Sequence, residues 1–455
     1  MAGATLAWIL LALAGCARVA TTERPGPVVT VDRGPIPERP APAPGEVAAP
    51  APAEEVRGVW VVRTTLTDPQ AIRRMVQETQ EAGLNTLLVQ VRGRADAFYR
   101  SALEPPAAQL IGAAPGFDPL ALVLEEAAAR GLAVHAWVVA QLVWGLAPLP
   151  EAPDHLANAH PEWLAVPREL AGELYHADPA GESFRRRLHE WAVRNGERVE
   201  GLFASPSHPG ARARLVAVVE DLLARYPGLA GVHLDYIRYP SPEFDYARPA
   251  LEAFRAYARG RVPEGRAASL DARLREGDVT VWPRENPDLW DGWRERQVTE
   301  TLLAVREVVR RAPGRPLLTA AVFADPVDAL RGRFQDWGEW LAGGWVDAVA
   351  PMAYTPDEAR FADLMQAARR ADRAGGGRRV WAGVGLYRTD LEGAARMVGL
   401  ARGAGAAGVV LFSYDWATAE GAAPPGERYL EALSRRAFRS PDPRDPPRPH
   451  DPGAP

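Results

Sequence analysis

Lysine is absent from this chain, and all 53 of its basic side chains other than histidine are arginine. Alanine, glycine and proline are also abundant, so the bias reads as compositional. Its chemical consequence holds regardless. A Schiff-base lysine, a pyridoxal-phosphate lysine and a lysine-bearing phosphate loop are excluded. Cysteine occurs once, as Cys16. That excludes an intramolecular disulfide framework and a cysteine metal cluster. His160, in Ala-His-Pro-Glu-Trp, and His176, near Asp178, match no dedicated metal spacing, so no metal is expected. The net charge is −5, which leaves no basic stripe to neutralise phosphates, and nucleic acid is not expected as a partner.

What is present is a globular composition, 47% hydrophobic and 24% charged, enough for a sizeable core. The amino-terminal apolar run Leu6 to Ala14 is too short to span a bilayer. It ends in Leu13-Ala14-Gly15-Cys16, with small residues where a signal peptidase needs them. The motif resembles the lipobox of bacterial lipoproteins, in which the cysteine is acylated and several acyl chains make a stable anchor. Residues 1–15 are therefore expected to be a lipoprotein signal peptide, with Cys16 as the lipidation site. The alternative is an ordinary secretory signal. Ala17 after the cysteine favours the outer membrane where the host has one. Residues 16–54 are rich in Pro, Ala and Glu and read as an extended tether. Residues 439–455 read as a disordered tail. The folded part is expected at residues 55–438.

Within it, short apolar runs alternate with helical patterns. The runs are 58–62, 86–91, 132–138, 231–234, 316–322, 346–350, 379–384 and 407–412. Helices are expected over 69–82, 118–130, 211–225, 289–311, 335–342 and 391–402. Continuous rather than alternating apolar runs mean strands buried on both faces. Helices between them imply right-handed parallel crossovers. Eight such units predict a (β/α)8 TIM barrel. The long loops 141–209 and 236–288 follow the third and fourth strands at their C-terminal ends, where such barrels build active sites.

The residues projecting from those strand ends are carboxylates, arginines and aromatics. The second strand offers Gln90, Arg92, Asp96 and Tyr99, and the third His135, Trp137 and Gln141. Asp235, Tyr236, Arg238 and Tyr239 follow the fourth. Asp325, Tyr354 and Asp415 stand near the fifth, sixth and eighth. Aromatic faces stack on pyranose rings, and glycosidic cleavage needs an acid for the leaving oxygen and a second carboxylate. Asp235 leads these candidates, with a helix cap or a salt bridge to Arg238 as its structural alternative. His135 and His233 lie inside strands, where histidines are more often wall residues. Arg92 and Arg238 could pair with an anionic substituent of a glycan through bidentate hydrogen bonds.

The set as a whole resembles the bacterial glycoside-hydrolase-like family ten. It is carried by Arg57-Gly-Val-Trp60, Gln90-Val-Arg92, Glu104-Pro105, Arg130-Gly-Leu-Ala-Val-His-Ala-Trp137, His160-Pro-Glu-Trp-Leu164, Gly231-Val-His-Leu-Asp-Tyr-Ile-Arg-Tyr-Pro240 and Phe412-Ser-Tyr414. The resemblance implies a TIM barrel, a cell-envelope glycan such as peptidoglycan as substrate, and cofactor-free glycosidic hydrolysis. It also implies Asp235 as the acidic centre, with Arg92, Asp96, His135, Tyr239 and Tyr354 lining it. Trp293-Arg294 and Gln297 resemble a family element that reaches inward. Where many relatives carry adjacent aspartates, Asp235 is followed by Tyr236. A second carboxylate must then come from Glu243, Asp325 or Asp96. That departure motivates a rival reading, a glycan-binding lipoprotein without catalysis. Hydrolysis of an ester or amide substituent lacks a nucleophile or metal set. A monomer is expected.

Overall fold

The computed structural model describes residues 55–438, apart from 113–115, 374, 376–378 and 423–425. The signal peptide, Cys16, tether and tail expected from the sequence lie outside the described residues. The strands are β1 (Val56–Val61), β2 (Thr86–Arg92), β3 (Ala133–Val139), β4 (Leu142–Trp144), β5 (Leu202–Phe203), β6 (Gly231–Asp235), β7 (Leu317–Phe323), β8 (Ala348–Met352), β9 (Trp381–Gly385) and β10 (Gly408–Phe412). Eight of them close a parallel barrel in the order β1-β2-β3-β6-β7-β8-β9-β10, with β10 back against β1. This is the expected TIM barrel, and each expected strand lies within two residues of an observed one.

The continuous apolar runs have a direct cause. Side chains alternate across a strand, and here both faces are covered. Trp60, Leu88, Trp137, Ala350, Trp381 and Val410 fill the barrel interior. Val59, Val61, Leu87, Val89, Val134 and Ala136 point outward under the helices. The helix Pro69–Glu81 shows how the outer layer is built. Asp68 caps it by accepting the N–H groups of Gln70 and Ala71, and Pro69 occupies its first turn, where a missing N–H is harmless. Ile72, Met75, Val76 and Thr79 form its buried stripe. Each large apolar member of such a stripe stabilises by about 1.5–3 kcal/mol.

The long loops hold more structure than their sequences suggested. Strands β4 and β5, far apart in sequence, pair antiparallel, Leu142 with Phe203 and Trp144 with Leu202, to make a small two-stranded sheet at the barrel mouth. The segment after β6 folds into helices Arg248–Arg259 and Glu264–Arg275. Asp271 clamps them, accepting from Arg255 Nε at 2.8 Å and Trp282 Nε1 at 3.2 Å and pairing with Arg259. The first buries an apolar stripe of Ala250, Leu251, Phe254 and Ala258, a periodic signal within the stretch expected to be loop, while the second buries little more than Ala267 and Leu270 beside Asp271. Helices Pro326–Arg333 and Glu358–Ala371 likewise join the expected set.

Candidate active site

Asp235 is the last residue of β6 and points up into the barrel mouth. Its Oδ2 accepts from Trp137 Nε1 at 3.1 Å, and its Oδ1 accepts from the N–H of Tyr236 at 2.7 Å. Tyr236 holds a positive φ of 52°, a costly conformation for an aromatic residue, and the chain turns sharply there. The turn swings Arg238 back, so that its guanidinium lies 4.3 Å from the ring centre of Tyr236 and 5.1 Å from that of Phe323. Arg238 pairs with Glu200 at 3.4 Å, with 2% and 9% of their side chains exposed.

These surroundings set the proton affinity of Asp235. Burial pushes its carboxyl up from 3.8 to about 6. Arg238, the Tyr236 N–H and the Trp137 indole pull it back in part, while the negative charge of Glu200 adds to the rise. The carboxyl is therefore largely protonated in mildly acidic solution, as a general acid requires.

Glu200 was not among the residues singled out from the sequence. It reaches the site because the pairing of β4 with β5 carries it there. Gly201 adopts a φ of +150°, and a β-carbon on it would lie 2.0 Å from the Trp144 carbonyl oxygen, so only glycine fits beside Glu200. This strand pair is tied to the rim by Ala204 N–H to the Gln141 carbonyl at 2.8 Å and Ala140 N–H to the Asp235 carbonyl at 2.7 Å. Nothing local in Val199-Glu200-Gly201 announces this, since the pairing partner lies far away in sequence.

An aromatic wall faces Asp235 from the other side. Phe412, at the end of β10, has its ring centre 5.3 Å from that of Tyr354, 5.8 Å from Trp60 and 6.3 Å from Trp137. Tyr387 adds a further ring, 6.0 Å from Tyr354. Trp60 and Trp137 are buried, whereas Tyr354, Tyr387 and Phe412 are half-exposed at the opening. Beneath them Trp60 Nε1 donates to His233 Nε2 at 3.1 Å, and His233 Nδ1 meets Thr319 Oγ1 at 2.9 Å. Burial holds His233 well below its usual range, so it is neutral and donates from Nδ1. It is a wall residue.

The mouth thus brings together Asp235, Tyr236, Arg238, Trp137 and Tyr354 of the sequence candidates. Asp96 stands on its rim, accepting the Arg94 N–H at 2.8 Å. Asp415 is anchored there by Thr65 Oγ1 at 2.6 Å and the Val62 N–H at 2.7 Å.

Other candidates have different surroundings. Arg92 is 1% exposed and grips Glu104 with both arms, at 2.7 and 2.8 Å, while also binding the Val139 carbonyl. Its fork joins β2 to the following loop and leaves nothing for a substrate. Arg294 is similarly engaged with Asp291 and the Phe244 carbonyl. Asp325 caps its helix through the N–H groups of Val327 and Asp328 and pairs with Arg360 at 3.2 Å. Tyr99 is buried edge-on to Tyr226, and Tyr239 is fully buried edge-on to Phe334. His135 sits deeper in the barrel against Trp381, pushed down to about 4 by burial. Glu243 lies half-exposed in the loop beyond β6, its carbonyl bound by the Arg168 N–H at 2.9 Å.

Among the described residues, no group of three or more His, Cys, Asp or Glu side chains is arranged to hold a metal. A family model described as Glycosyl hydrolase-like 10 matches residues 55–379. The chain belongs to this glycosyl hydrolase-like 10 family. The matched stretch contains Asp235, Glu200, Arg238 and Tyr354, and stops before β9 and β10, which supply Phe412 to the wall.

This glycosyl hydrolase-like 10 chain has curated relatives. Glycosyl hydrolase YngK of Bacillus subtilis strain 168 is 24% identical over 329 residues, covering 66% of this chain and 54% of that protein. Glycosyl hydrolase DigH of Escherichia coli O6:H1 is 26% identical over 336 residues, covering 67% of this chain and 66% of that protein. The chain thus spans between about half and two thirds of the length of these relatives. Among solved structures, a β-galactosidase from a psychrophilic Marinomonas superposes with a TM-score of 0.54 at 14% identity, over 83% of this chain and 58% of that one. The catalytic domain of a Paenibacillus polymyxa β-amylase gives 0.53 at 10% identity, over 84% and 98%. At such identities these likenesses establish the fold alone.

Proposed function

We propose that this chain is a lipid-anchored glycosidase of the bacterial cell envelope, cleaving glycosidic bonds in a glycan such as peptidoglycan strands. Asp235 acts as the general acid, protonating the leaving oxygen. Glu200, ion-paired with Arg238, acts as the second carboxylate that attacks or activates water. The observation that carries this reading is the pairing of two unlike carboxyl environments at one aromatic-lined mouth. One carboxyl is buried and pushed up to about 6; the other is held by a guanidinium. The family supports a sugar substrate, and the half-exposed rings of Tyr354, Tyr387 and Phe412 supply the stacking faces. Membrane attachment rests on the Leu13-Ala14-Gly15-Cys16 motif, and Ala17 favours the outer membrane.

Peptidoglycan with and without stem peptides, incubated with full-length protein carrying Cys16→Ser, tests the activity. New reducing ends from this protein, and none when Asp235→Asn is added, are expected. Metabolic labelling with a fatty-acid analogue should mark the native chain and not Cys16→Ser. A second reading, a glycan binder without catalysis, is favoured by one observation: both oxygens of Asp235 already accept hydrogen bonds. Retained glycan binding without products would select it.

A further inference from the structure

Two arginines at the barrel mouth play no part in the mechanism above. Arg63 follows β1 and Arg94 follows β2, and these strands are parallel neighbours, so both side chains occupy one sector of the rim. Neither forms an ion pair among the described residues. That sets them apart from Arg92, Arg238 and Arg379, which hold Glu104, Glu200 and Asp372. Arg63 donates only to a neutral partner, Nη1 to Gln90 Oε1 at 3.1 Å. The Nε of Arg94 is buried without a partner. Both residues are half-buried, and burial, then the charge of Arg94, lower the proton affinity of Arg63 to about 10.

The backbone is shaped around this pair. A β-carbon on Gly93 would lie 2.7 Å from Arg63 Cδ, and one on Gly145 would lie 2.9 Å from Arg94 Nε. The backbone of Arg94 is held at both ends. Its N–H goes to Asp96, and its carbonyl accepts from His155 Nε2 at 2.7 Å. His155 Nδ1 accepts from the Ala157 N–H, so the proton sits on Nε2. Two like charges, side by side and partly desolvated, are unfavourable until an anion joins them.

We propose that Arg63 and Arg94 form an anion subsite of the glycan groove, and that it takes a carboxylate carried on a sugar ring. The inference rests on the glycan reading above. A planar carboxylate matches a guanidinium fork in a way a point cation does not exploit. A single negative charge suits the site, because Asp96 and Asp415 already act on Arg63, while being engaged by the Arg94 N–H and by the Val62 N–H and Thr65. The subsite is close to the catalytic centre, since Gly145, which packs on Arg94, also packs on Gly201, the neighbour of Glu200. This pair takes over the anion-recognising part that the sequence had suggested for Arg92 and Arg238, which hold Glu104 and Glu200.

Calorimetric binding to full-length Cys16→Ser/Asp235→Asn protein tests it. The probes are peptide-free peptidoglycan strands, the same strands with their carboxyls reduced to alcohols, hyaluronan oligosaccharides and neutral chitooligosaccharides. Native strands or hyaluronan should bind roughly 10- to 100-fold tighter than the neutral glycans, the range expected for hydrogen bonds to a charged group. A preference for the native strands assigns the carboxylate to a lactyl ether, and one for hyaluronan to a uronic acid. Arg63→Gln and Arg94→Gln should each remove most of the preference while sparing chitooligosaccharide binding, and the lysine variants should restore part of it. Equal binding of native and reduced strands, with no preference for hyaluronan, overturns the subsite and leaves the glycan reading standing. No binding of any glycan overturns both. The comparison of reduced with native strands needs no arginine variant and stands even if a variant fails to fold.

Discussion

Replacing Asp235 with asparagine removes a charge that the folded barrel holds unfavourably. In the unfolded chain this carboxyl titrates near 3.8, and in the fold burial pushes it up to about 6. The folded state therefore binds the proton more tightly. As pH rises from about 4 to about 6 the unfolded chain releases it first, and stability falls. At 1.36 kcal/mol per pKa unit the full penalty is about 3 kcal/mol, and about 2.5 kcal/mol of it develops between about pH 4 and pH 7.5. Asparagine is neutral throughout and lacks this fall. Its own cost, an amide N–H facing either Trp137 or the Tyr236 N–H, is the same at both pH values and cancels in the comparison. The stability of Asp235→Asn relative to the unmodified protein should therefore rise by about 2.5 kcal/mol across that range, measured by denaturant unfolding at each pH. In thermal unfolding this corresponds to about 3 °C for a domain this large, at about 2.1 cal/mol/K per residue. Parallel pH profiles for the two proteins would refute the argument that burial outweighs Arg238, Trp137 and the Tyr236 N–H.

The same titration should shape catalysis: kcat/KM is expected to fall above about pH 6 as Asp235 ionises. Glu200→Gln should abolish turnover by removing the second carboxylate, and it removes a negative charge that raises Asp235, so the pH range over which stability falls should move down, a shift that denaturant unfolding across pH would reveal. Gly201→Ala places a β-carbon 2.0 Å from the Trp144 carbonyl oxygen. It should cost at least about 1–3 kcal/mol and depress turnover by displacing Glu200, readable as a loss of activity in protein that remains folded. Arg92→Met strands the buried carboxylate of Glu104 and should destabilise by about 3–5 kcal/mol. Adding Glu104→Leu should recover most of that loss in a denaturation series, and glycan affinity in the double variant should be unchanged.

The barrel was legible because its signal is local and repeated. An apolar run such as Thr86–Arg92 is buried on both faces, and that requirement is written in consecutive residues. Helix starts such as Asp68-Pro69 and Asp118-Pro119 are equally local, since cap and first turn are sequence neighbours. The lead position of Asp235 was legible for the same reason, as a carboxylate ending an apolar strand. The helices over 248–275 went unread inside the long loop after the fourth strand, although Ala250, Leu251, Phe254 and Ala258 give the first of them an apolar stripe; the second, clamped by ion pairs on Asp271, buries fewer apolar residues.

The sequence by itself therefore determined the eight strands of the barrel, its closure, and the place of Asp235 at the C-terminal end of one of them. Tertiary structure alone decided what each rim side chain does. Arg92 and Arg63 are both arginines near a strand end, yet one faces Glu104 in the interior and the other faces no carboxylate at ion-pair distance. Glu200 became a candidate only when the antiparallel pairing of β4 with β5, which Gly201 permits, brought it to Arg238. The physical reason is range. Burial and hydrogen-bonding requirements of a strand or cap act over a few residues and leave a pattern in the chain. The charge balance of a site is set by groups from distant segments, and their meeting is recorded only in the fold.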